Sequence, residues 1–479
     1  MDHNYLKNFY LFLFLSFIMI FNGCKNSSTN YLHKEEIQQS RIFVIKNVNI
    51  IPMTAENRII ENASIVIENK KIVAINKPIP DNAMIIYGTG KWLIPGLIDM
   101  HVHTPADINF GLKFPTRAAT VFFDTQDMMT PFVSNGVTTI FDLNARAEHF
   151  GQRNEISRGA VIGPRMALAK LINGGEGAGN VNIPSDGRQA VRSAKAEGYE
   201  FIKVYSDLNV ETFKAIVDEA KKQELKVVGH IPNAFRGRLK DAFIPNFGMV
   251  AHAEEYAKQT KDFSDQDAKS FAQLAKNNGT WLTPTLTTMV WIASQAHSLN
   301  ELRELQSLQY MHTLFQDKWL NANSYNRNTN PEFVAYLDQI VDFNTRLVKA
   351  FNKAGVPIVA GTDALNPGVV PGFSLHDEIE LLVKAGLTAE EALTSATRLP
   401  SIWLGIDSEV GTIEVGKYAD LLLLDANPIE NIKNTREISG VFVNGQWLNR
   451  STIDEMLSDL SIHNTSNKGK YEWKKRREY

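Results

Sequence analysis

The chain has 479 residues, is 44% hydrophobic, carries a formal net charge of −3 and contains one cysteine. This length and composition suffice for at least one large hydrophobic core. The chain lacks the basic excess that nucleic-acid binding usually requires, so nucleic acid is not expected as a partner. A single cysteine forms no disulfide within the chain, and the core must therefore supply the stability.

Residues 1–24 predict a lipoprotein signal peptide. Lys7 precedes an apolar run from Phe9 to Phe21, which is short for a membrane span and suits the central region of a signal peptide. Cys24 resembles the lipidated cysteine of bacterial lipoproteins, although residues 21 and 22 depart from the usual motif. A buried helix with an incidental thiol is the alternative. Lipidation of Cys24 would attach the chain to the membrane of a bacterial cell envelope, facing the periplasm or the exterior.

Strand-like segments flank a longer central region. After a polar linker at residues 25–40, alternating stretches rich in Val and Ile predict short strands, and the same pattern returns near the C-terminus. We therefore predict a composite β-sandwich domain built from residues 41–92 and 411–450. Residues 451–479 predict a short helix and a basic, solvated tail.

The central residues 93–410 alternate short apolar runs with helical segments, which is the pattern of βα units. Eight candidate strands occur in the order LIPGLIDM, VTTIFDL, RMALAKLI, FIKVYS, LKVVGH, GMVAHA, TWLTPTL and VPIVAGTD. They predict an α/β fold with a (β/α)8 TIM barrel. An open doubly wound sheet is the alternative, but no Gly-x-Gly-x-x-Gly turn follows the first strand. The connection between Thr285 and Gly355 is too long for an ordinary loop and predicts extra helices near the barrel mouth.

Side chains that commonly bind metals follow four of these strands. They are His101 and His103 after the first strand, His230 after the fifth, His252 after the sixth and Asp363 after the eighth. Catalytic groups of TIM barrels collect at the carboxyl ends of the strands, because the loops leave an open pocket there. One histidine at such a position is usually a core residue, but several on one rim predict a metal site. Imidazole and carboxylate ligands without thiolate favour zinc or a similar divalent ion.

Lys203, on the fourth strand, does not fit a simple metal site, because an ammonium group cannot coordinate a cation. A surface or salt-bridged lysine is the alternative to a role in the site. Tyr205 lies two residues further on, and its hydroxyl could bind a substrate carboxylate or carbonyl; a packing role is equally compatible with the sequence.

Several motifs, in order, resemble the amidohydrolase superfamily. PGLIDMHVH, GVTTIFD and AGTD stand at the first, second and eighth strands, and GTIEVGKYADLLLLD follows towards the C-terminus. The resemblance runs from Arg41 to Leu448 and implies a distorted (β/α)8 barrel beside a small β-sandwich. Within the superfamily the chain is most similar to the imidazolonepropionase-like group, which includes prolidase-like enzymes with a carbamylated lysine.

This resemblance implies two divalent ions, with zinc expected. In the family's binuclear members the fourth-strand lysine is carbamylated by carbon dioxide, and the new carboxylate bridges the metals. By this analogy the more buried ion would be held by His101, His103 and Asp363, the other by His230 and His252, and carbamylated Lys203 would lie between them. Asp363 would also be catalytic, accepting the proton of the attacking water and delivering it to the leaving nitrogen.

The expected activity is therefore that of an amidohydrolase that cleaves an amide-type C–N bond through a metal-bridged hydroxide. The small-molecule substrate could be a dipeptide, an N-acyl amino acid or a cyclic amide. An ester or phosphoester hydrolase is the alternative, because the same hydroxide attacks either electrophile. A catalytically inactive lipid-anchored binding protein would be marked by a missing ligand, yet all six positions are filled. The sequence is also compatible with a homo-oligomer.

Overall fold

The computed structural model describes residues 42–107, 121–177, 179–327 and 329–475. The predicted signal peptide, the linker and Cys24 lie outside these residues. Within the described ranges, no helix combines the length and the apolar character needed to cross a membrane.

Fifteen strands occur in the described part of the chain. They are β1 (Phe43–Ile50), β2 (Ile60–Glu68), β3 (Lys71–Ile75), β4 (Met84–Tyr87), β5 (Trp92–Pro95), β6 (Leu97–Val102), β7 (Val137–Asp142), β8 (Arg165–Ile172), β9 (Phe201–Val204), β10 (Lys226–Gly229), β11 (Phe247–Ala251), β12 (Trp281–Thr283), β13 (Leu421–Leu424), β14 (Ile438–Val443) and β15 (Gln446–Asn449).

The α-helices of the same ranges are numbered in chain order. They are α1 (Thr125–Ser134), α2 (Ala147–Ser157), α3 (Pro184–Glu197), α4 (Val210–Lys222), α5 (Glu254–Ala257), α6 (Asp265–Asn278), α7 (Leu286–His297), α8 (Asn300–Glu304), α9 (Thr313–Asn321), α10 (Pro331–Ala354), α11 (Phe373–Lys384), α12 (Ala389–Ser395), α13 (Arg398–Leu404) and α14 (Arg450–Ser466).

Strands from both ends of the described chain form one eight-stranded mixed sheet. Its order is β15-β14-β13-β5-β1-β2-β3, and β4 pairs with the first half of β1. Ile45, Ile65 and Leu421 belong to a hydrophobic cluster on this sheet, which has its own core. The first predicted barrel strand began at residue 93, but residues 92–95 form β5 of the mixed sheet. The chain passes to the barrel at Gly96, where a Cβ atom would lie 2.2 Å from the Thr138 side chain.

The barrel contains seven parallel strands in the order β12-β11-β10-β9-β8-β7-β6. The eighth predicted strand is irregular and joins its neighbours through two parallel bridges, Ile358 with Leu282 and Ala364 with Val102. Between these bridges Gly361 approaches β6 so closely that a Cβ atom would lie 2.9 Å from the His101 nitrogen. The predicted α/β barrel is therefore confirmed, and its eighth strand is the distorted one.

Every residue of β6, β7 and β9 is buried. Strands of a parallel sheet carry such continuous apolar runs because helices or the barrel interior cover both of their faces. Polar residues at these positions, such as Asp99 and Lys203, are therefore costly unless they have partners or a function.

The long connection after β12 folds into α7, α8, α9 and α10, which we call the helical insertion (residues 286–354). Its longest helix is α10. Asn330 caps its N-terminus with a side chain that accepts a hydrogen bond from the Phe333 backbone, and Gly355 caps its C-terminus in the left-handed conformation. Trp319 of α9 is fully buried, whereas Tyr336 of α10 is exposed. The aromatic residues of the insertion thus differ in their surroundings, because Trp319 belongs to the buried packing and Tyr336 faces solvent.

The C-terminal segment differs from the predicted short helix and solvated tail. α14 is 17 residues long, begins at the capping side chain of Asn449 and packs against α1. The tail then returns to α9, where the Trp473 backbone donates to Asp317 at 2.6 Å. Aromatic residues of the tail also pack against the protein: the Tyr471 ring lies 5.3 Å from that of His312, and the Lys318 amine lies 4.8 Å from the Trp473 ring. The basic charge of the tail alone did not indicate these contacts.

Candidate metal centre

The ligands predicted after the first and eighth strands meet at the carboxyl end of the barrel. Alternation along β6 places His101 and His103 on one face. Their Nε2 atoms lie 3.2 Å and 3.0 Å from Oδ1 of Asp363. The Asp363 backbone donates a hydrogen bond of 2.7 Å to the His101 carbonyl. The closing strand of the barrel therefore brings the carboxylate to both histidines.

His252 follows β11 and completes a compact group. Its ring centroid is 4.6 Å from that of His101, and its Nδ1 is 4.0 Å from Oδ2 of Asp363. His101, His252 and Asp363 each offer one ligand atom, and these atoms lie within 4.8 Å of one another. The resemblance implied a group of His101, His103 and Asp363, and His103 also contacts this carboxylate, with its Nε2 3.0 Å from Oδ1. The side chain of His103 is one-third exposed and stands at the rim of this group.

His230 follows β10 and extends the group, with its ring centroid 4.8 Å from that of His252. Its Nδ1 lies 2.8 Å from Oγ of Ser206 and 3.1 Å from Oε1 of Glu255. The Nδ1 of His252 lies 2.8 Å from Oγ1 of Thr285 in the same way. Outer partners on Nδ1 orient the rings and leave Nε2 of each histidine as the atom for a metal.

Three residues of this region adopt a backbone conformation that side chains disfavour. His252, Thr285 and Asp363 have φ angles of 75°, 49° and 59°. Each such residue costs about 1–3 kcal/mol and persists only where its surroundings enforce it, which is frequent at functional sites. His252, Asp363 and Thr285, the partner of His252, are therefore held by the fold against local preference.

Lys203 lies on β9 and is 1% exposed. Its Nζ is buried and has no hydrogen-bond partner within the described ranges. Burial lowers the pKa of Lys203 to about 8, although the negative charges of Asp363 and Glu255 oppose this change. The alternative of a surface lysine is therefore wrong, and the side chain is available for another role.

His101, His230 and His252 are neutral at physiological pH. Burial, followed by the positive charge of Lys203, lowers the pKa of His101 and of His230 well below the usual value. Burial also lowers the pKa of His252, with partial compensation from Asp363. A neutral imidazole is the form that binds metals.

The Asp363 carboxylate remains ionised. Burial by itself would raise its pKa, but the hydrogen bond with His103 and the surrounding positive charge, including that of Lys203, outweigh burial and lower the pKa. The centre thus combines one anionic carboxylate with the neutral imidazoles of His101, His230 and His252.

These donors fit divalent metal ions. Both ring nitrogens of His101 and the Nδ1 of His103 are buried without hydrogen-bond partners in the described part of the chain. Leaving a buried polar atom without a partner costs about 1–3 kcal/mol, and coordination would remove that cost. Nitrogen and carboxylate donors without sulfur suit zinc and similar ions.

Asp99 was not identified from the sequence, and its carboxylate supports the backbone of the centre through hydrogen bonds. Its carboxylate accepts hydrogen bonds from the His101 backbone and from the backbone and hydroxyl of Thr362. Burial raises the pKa of Asp99 to about 7, against these hydrogen bonds. The sequence could have indicated Asp99, because a residue two positions before His101 lies on the same face of the strand. Thr285 and Glu255 offered no such signal, since only the fold brings them to the histidines.

Of the side chains outside this group, Tyr205 lies at its edge, whereas Arg165 and His376 lie away from it. Tyr205 packs its ring 4.1 Å from that of His230 and is 37% exposed, so it lies at the edge of the centre. Arg165 begins β8 at the opposite end of the barrel, with its Nη2 3.4 Å from Oδ2 of Asp420. His376 is buried in α11 and bonds to Thr435 and to the Asn135 backbone. Neither Arg165 nor His376 is part of the centre.

A barrel with histidines and a carboxylate gathered at the carboxyl ends of its strands defines a class of TIM-barrel hydrolases. Residues 92–448 match the model of the amidohydrolase family. The chain belongs to this family and is a hydrolase that acts on carbon–nitrogen bonds, as the resemblance predicted.

The chain is similar to amidohydrolases with different names and substrates. Imidazolonepropionase of Maricaulis maris is 39% identical over 104 residues, which cover 21% of this chain and 26% of that enzyme. Ochratoxinase of Aspergillus niger is 23% identical over 460 residues, covering 84% of this chain and 85% of that enzyme. Among solved structures, a Xaa-Pro dipeptidase with bound methionine is 22% identical with a TM-score of 0.63, and the match covers 85% of this chain and all of that one. That structure resembles this chain in its fold.

Proposed function

We propose that the protein is a metal-dependent hydrolase that cleaves an amide-type C–N bond of a small molecule, with two divalent ions held around carbamylated Lys203. The observation that carries this proposal is the amine of Lys203, which is buried without a hydrogen-bond partner in the described part of the chain. It lies near the neutral rings of His101, His230 and His252 and the ionised Asp363 carboxylate. A purely structural lysine in this position would destabilise the fold without compensation.

The environment of Lys203 favours its reaction with carbon dioxide. With a pKa of about 8, roughly a tenth of the side chain is neutral at pH 7. The neutral nitrogen adds to the carbon of CO2, a new N–C bond forms, and the nitrogen loses a proton to solvent. The product is an anionic carboxylate in place of a cation. It supplies the oxygen ligands that the described side chains otherwise provide only through Asp363.

The six proposed metal ligands are His101, His103, Lys203, His230, His252 and Asp363. Divalent ions such as zinc would supply an acidified water and a Lewis acid for the substrate carbonyl. Asp363 accepts the proton of the attacking water as the new C–O bond forms, and it delivers this proton to the nitrogen as the C–N bond breaks. Its ionised state provides the necessary base.

Tyr205 is the proposed substrate-binding residue. Its ring lies against His230, its side chain is partly exposed, and burial raises its pKa, so the phenol keeps its proton. A protonated phenol can donate a hydrogen bond to a carboxylate or carbonyl of a dipeptide, an N-acyl amino acid or a cyclic amide. The similarity to a Xaa-Pro dipeptidase supports dipeptides as the first substrates to examine.

The test compares wild type with Lys203→Ala and Asp363→Asn, all purified with zinc and bicarbonate. We expect two metal ions per wild-type chain, one or none in Lys203→Ala, and hydrolysis of amides in preference to esters. Lys214→Ala, an exposed lysine of α4, is the matched control. Unchanged metal content in Lys203→Ala would refute the bridging role, and turnover of esters alone would refute the amide assignment.

We also propose that the chain is lipid-anchored through Cys24 at a bacterial cell envelope. The apolar run and the cysteine that follows it support this proposal.

A further inference from the structure

The loop after Asp363 makes a specific contact with its carboxylate. The Nδ2 of Asn366 donates a hydrogen bond of 2.6 Å to Oδ2 of Asp363 and a second, of 3.2 Å, to the Asp363 carbonyl. The other carboxylate oxygen, Oδ1, faces His101 and His103. The two oxygens of Asp363 thus have different nearest partners. Oδ1 lies beside His101 and His103, whereas Oδ2 accepts the hydrogen bond from Asn366 and lies 4.0 Å from Nδ1 of His252.

The helical insertion reaches the same asparagine. The hydroxyl of Tyr325, in the turn between α9 and α10, donates to Oδ1 of Asn366 at 3.3 Å. An amide can rotate by half a turn and exchange its oxygen and nitrogen. Here Tyr325 pairs with the oxygen and Asp363 with the nitrogen, so both contacts favour the same orientation. The reverse orientation would place the amide oxygen against the carboxylate.

A set of buried amides fixes the turn that carries Tyr325. Gln295 of α7 is fully buried and donates to the Pro367 carbonyl at 2.8 Å, next to Asn366. Its Oε1 accepts from Asn323 at 2.6 Å, and its backbone carbonyl accepts from Asn326 at 2.7 Å. The insertion is therefore joined by hydrogen bonds to the loop that follows Asp363.

Close packing reinforces this junction. Gly368 lies against the ring of Trp291 in α7, and a Cβ atom there would come within 2.3 Å of the ring. Asp363 itself has the disfavoured φ angle of 59°, a backbone conformation that persists only with support from the surrounding structure. The insertion and the loop provide that support together.

We infer that Asn366 is a positioning residue for Asp363 and that the helical insertion, through Tyr325, holds it in the productive orientation. This inference rests on the proposed function of Asp363 as the proton carrier. Asn366 fixes the plane of the carboxylate, and with it the direction in which Oδ2 meets the proton of the attacking water. The insertion thereby becomes part of the catalytic arrangement and is more than a cover on the barrel.

The experiment uses the full-length enzyme loaded with zinc and bicarbonate and a dipeptide that the wild type hydrolyses. Asn366→Leu removes the donor at similar size, and Tyr325→Phe removes only the hydroxyl. We expect kcat to fall about 10- to 100-fold in Asn366→Leu, the usual effect of losing a partner of a metal ligand. In Tyr325→Phe, a loss of about two- to tenfold corresponds to one hydrogen bond. KM and the zinc content should stay near the wild-type values, because Oδ1 keeps its neighbours.

Two matched controls lie in the same insertion. Asn321→Leu removes the side-chain amide of an exposed asparagine that donates to Asp317. Tyr336→Phe removes the hydroxyl of a tyrosine whose ring packs on Phe263. Kinetics of Asn366→Leu equal to those of Asn321→Leu would overturn the inference. A rise of KM at constant kcat, or loss of zinc, would also overturn it, since Asn366 would then bind substrate or maintain the metal site. A wild type that hydrolyses no amide would refute the proposed function instead.

Discussion

Replacing Lys203 by methionine should stabilise the metal-free protein while it abolishes the activity. In the absence of metal and carbon dioxide, the Lys203 ammonium is buried without a hydrogen-bond partner in the described part of the chain. Methionine has a similar length and an apolar end, so it removes the charge and leaves the packing of β9 nearly unchanged.

The pKa of Lys203 sets the size of this effect. It is about 8 in the folded protein, against 10.5 for an exposed lysine. Each pKa unit corresponds to about 1.36 kcal/mol, so the protonated side chain lowers the free energy of unfolding by about 3 kcal/mol at pH 7. The unfolded chain binds the proton more tightly than the folded one. The penalty is therefore complete well below pH 8 and decreases as the pH rises from 8 towards 10.5, to about 1 kcal/mol at pH 9.5.

Chemical denaturation of metal-free protein in CO2-free buffer measures this difference. Lys203→Met should be about 3 kcal/mol more stable than wild type at pH 7 and about 1 kcal/mol more stable at pH 9.5. Lys214→Met, on the exposed face of α4, should have the wild-type stability at both pH values. A variant less stable than wild type, or a difference that does not vary with pH, would refute the reasoning about the buried ammonium.

Other predictions concern the support of the centre and the location of the chain. Glu255→Gln should weaken zinc binding about 10- to 100-fold in a competition titration, because Glu255 orients His230; equal affinity would contradict this role. Gly361→Ala should cost about 1–3 kcal/mol in denaturation, since its Cβ would lie 2.5 Å from Thr283 Oγ1; unchanged stability would show that the strands can separate. Cys24→Ala should move the protein from the membrane fraction to the soluble fraction, and an unchanged distribution would exclude the lipid anchor.

The barrel and its rim of ligands could be predicted because local patterns encode them. Apolar runs that end in His101, His230, His252 and Asp363 indicate both a buried parallel strand and the end at which its functional residue lies. The course of the eighth strand was less predictable. Its irregular pairing depends on how closely Gly361 approaches β6, which is a property of two segments and not of either one.

What the sequence by itself determined is the kind of fold and which candidate side chains stand at the strand ends, since alternation and the order of motifs are local properties of the chain. Only the tertiary structure decided that Lys203 is buried with no hydrogen-bond partner among the described residues, that His252 lies beside His101, and that Tyr325 reaches Asn366. The physical reason is that burial, pKa and hydrogen-bond pairing arise between segments far apart in the chain. Tyr325 and Asn366 are separated by 41 residues, and their contact exists only because the helical insertion folds back onto the loop after Asp363.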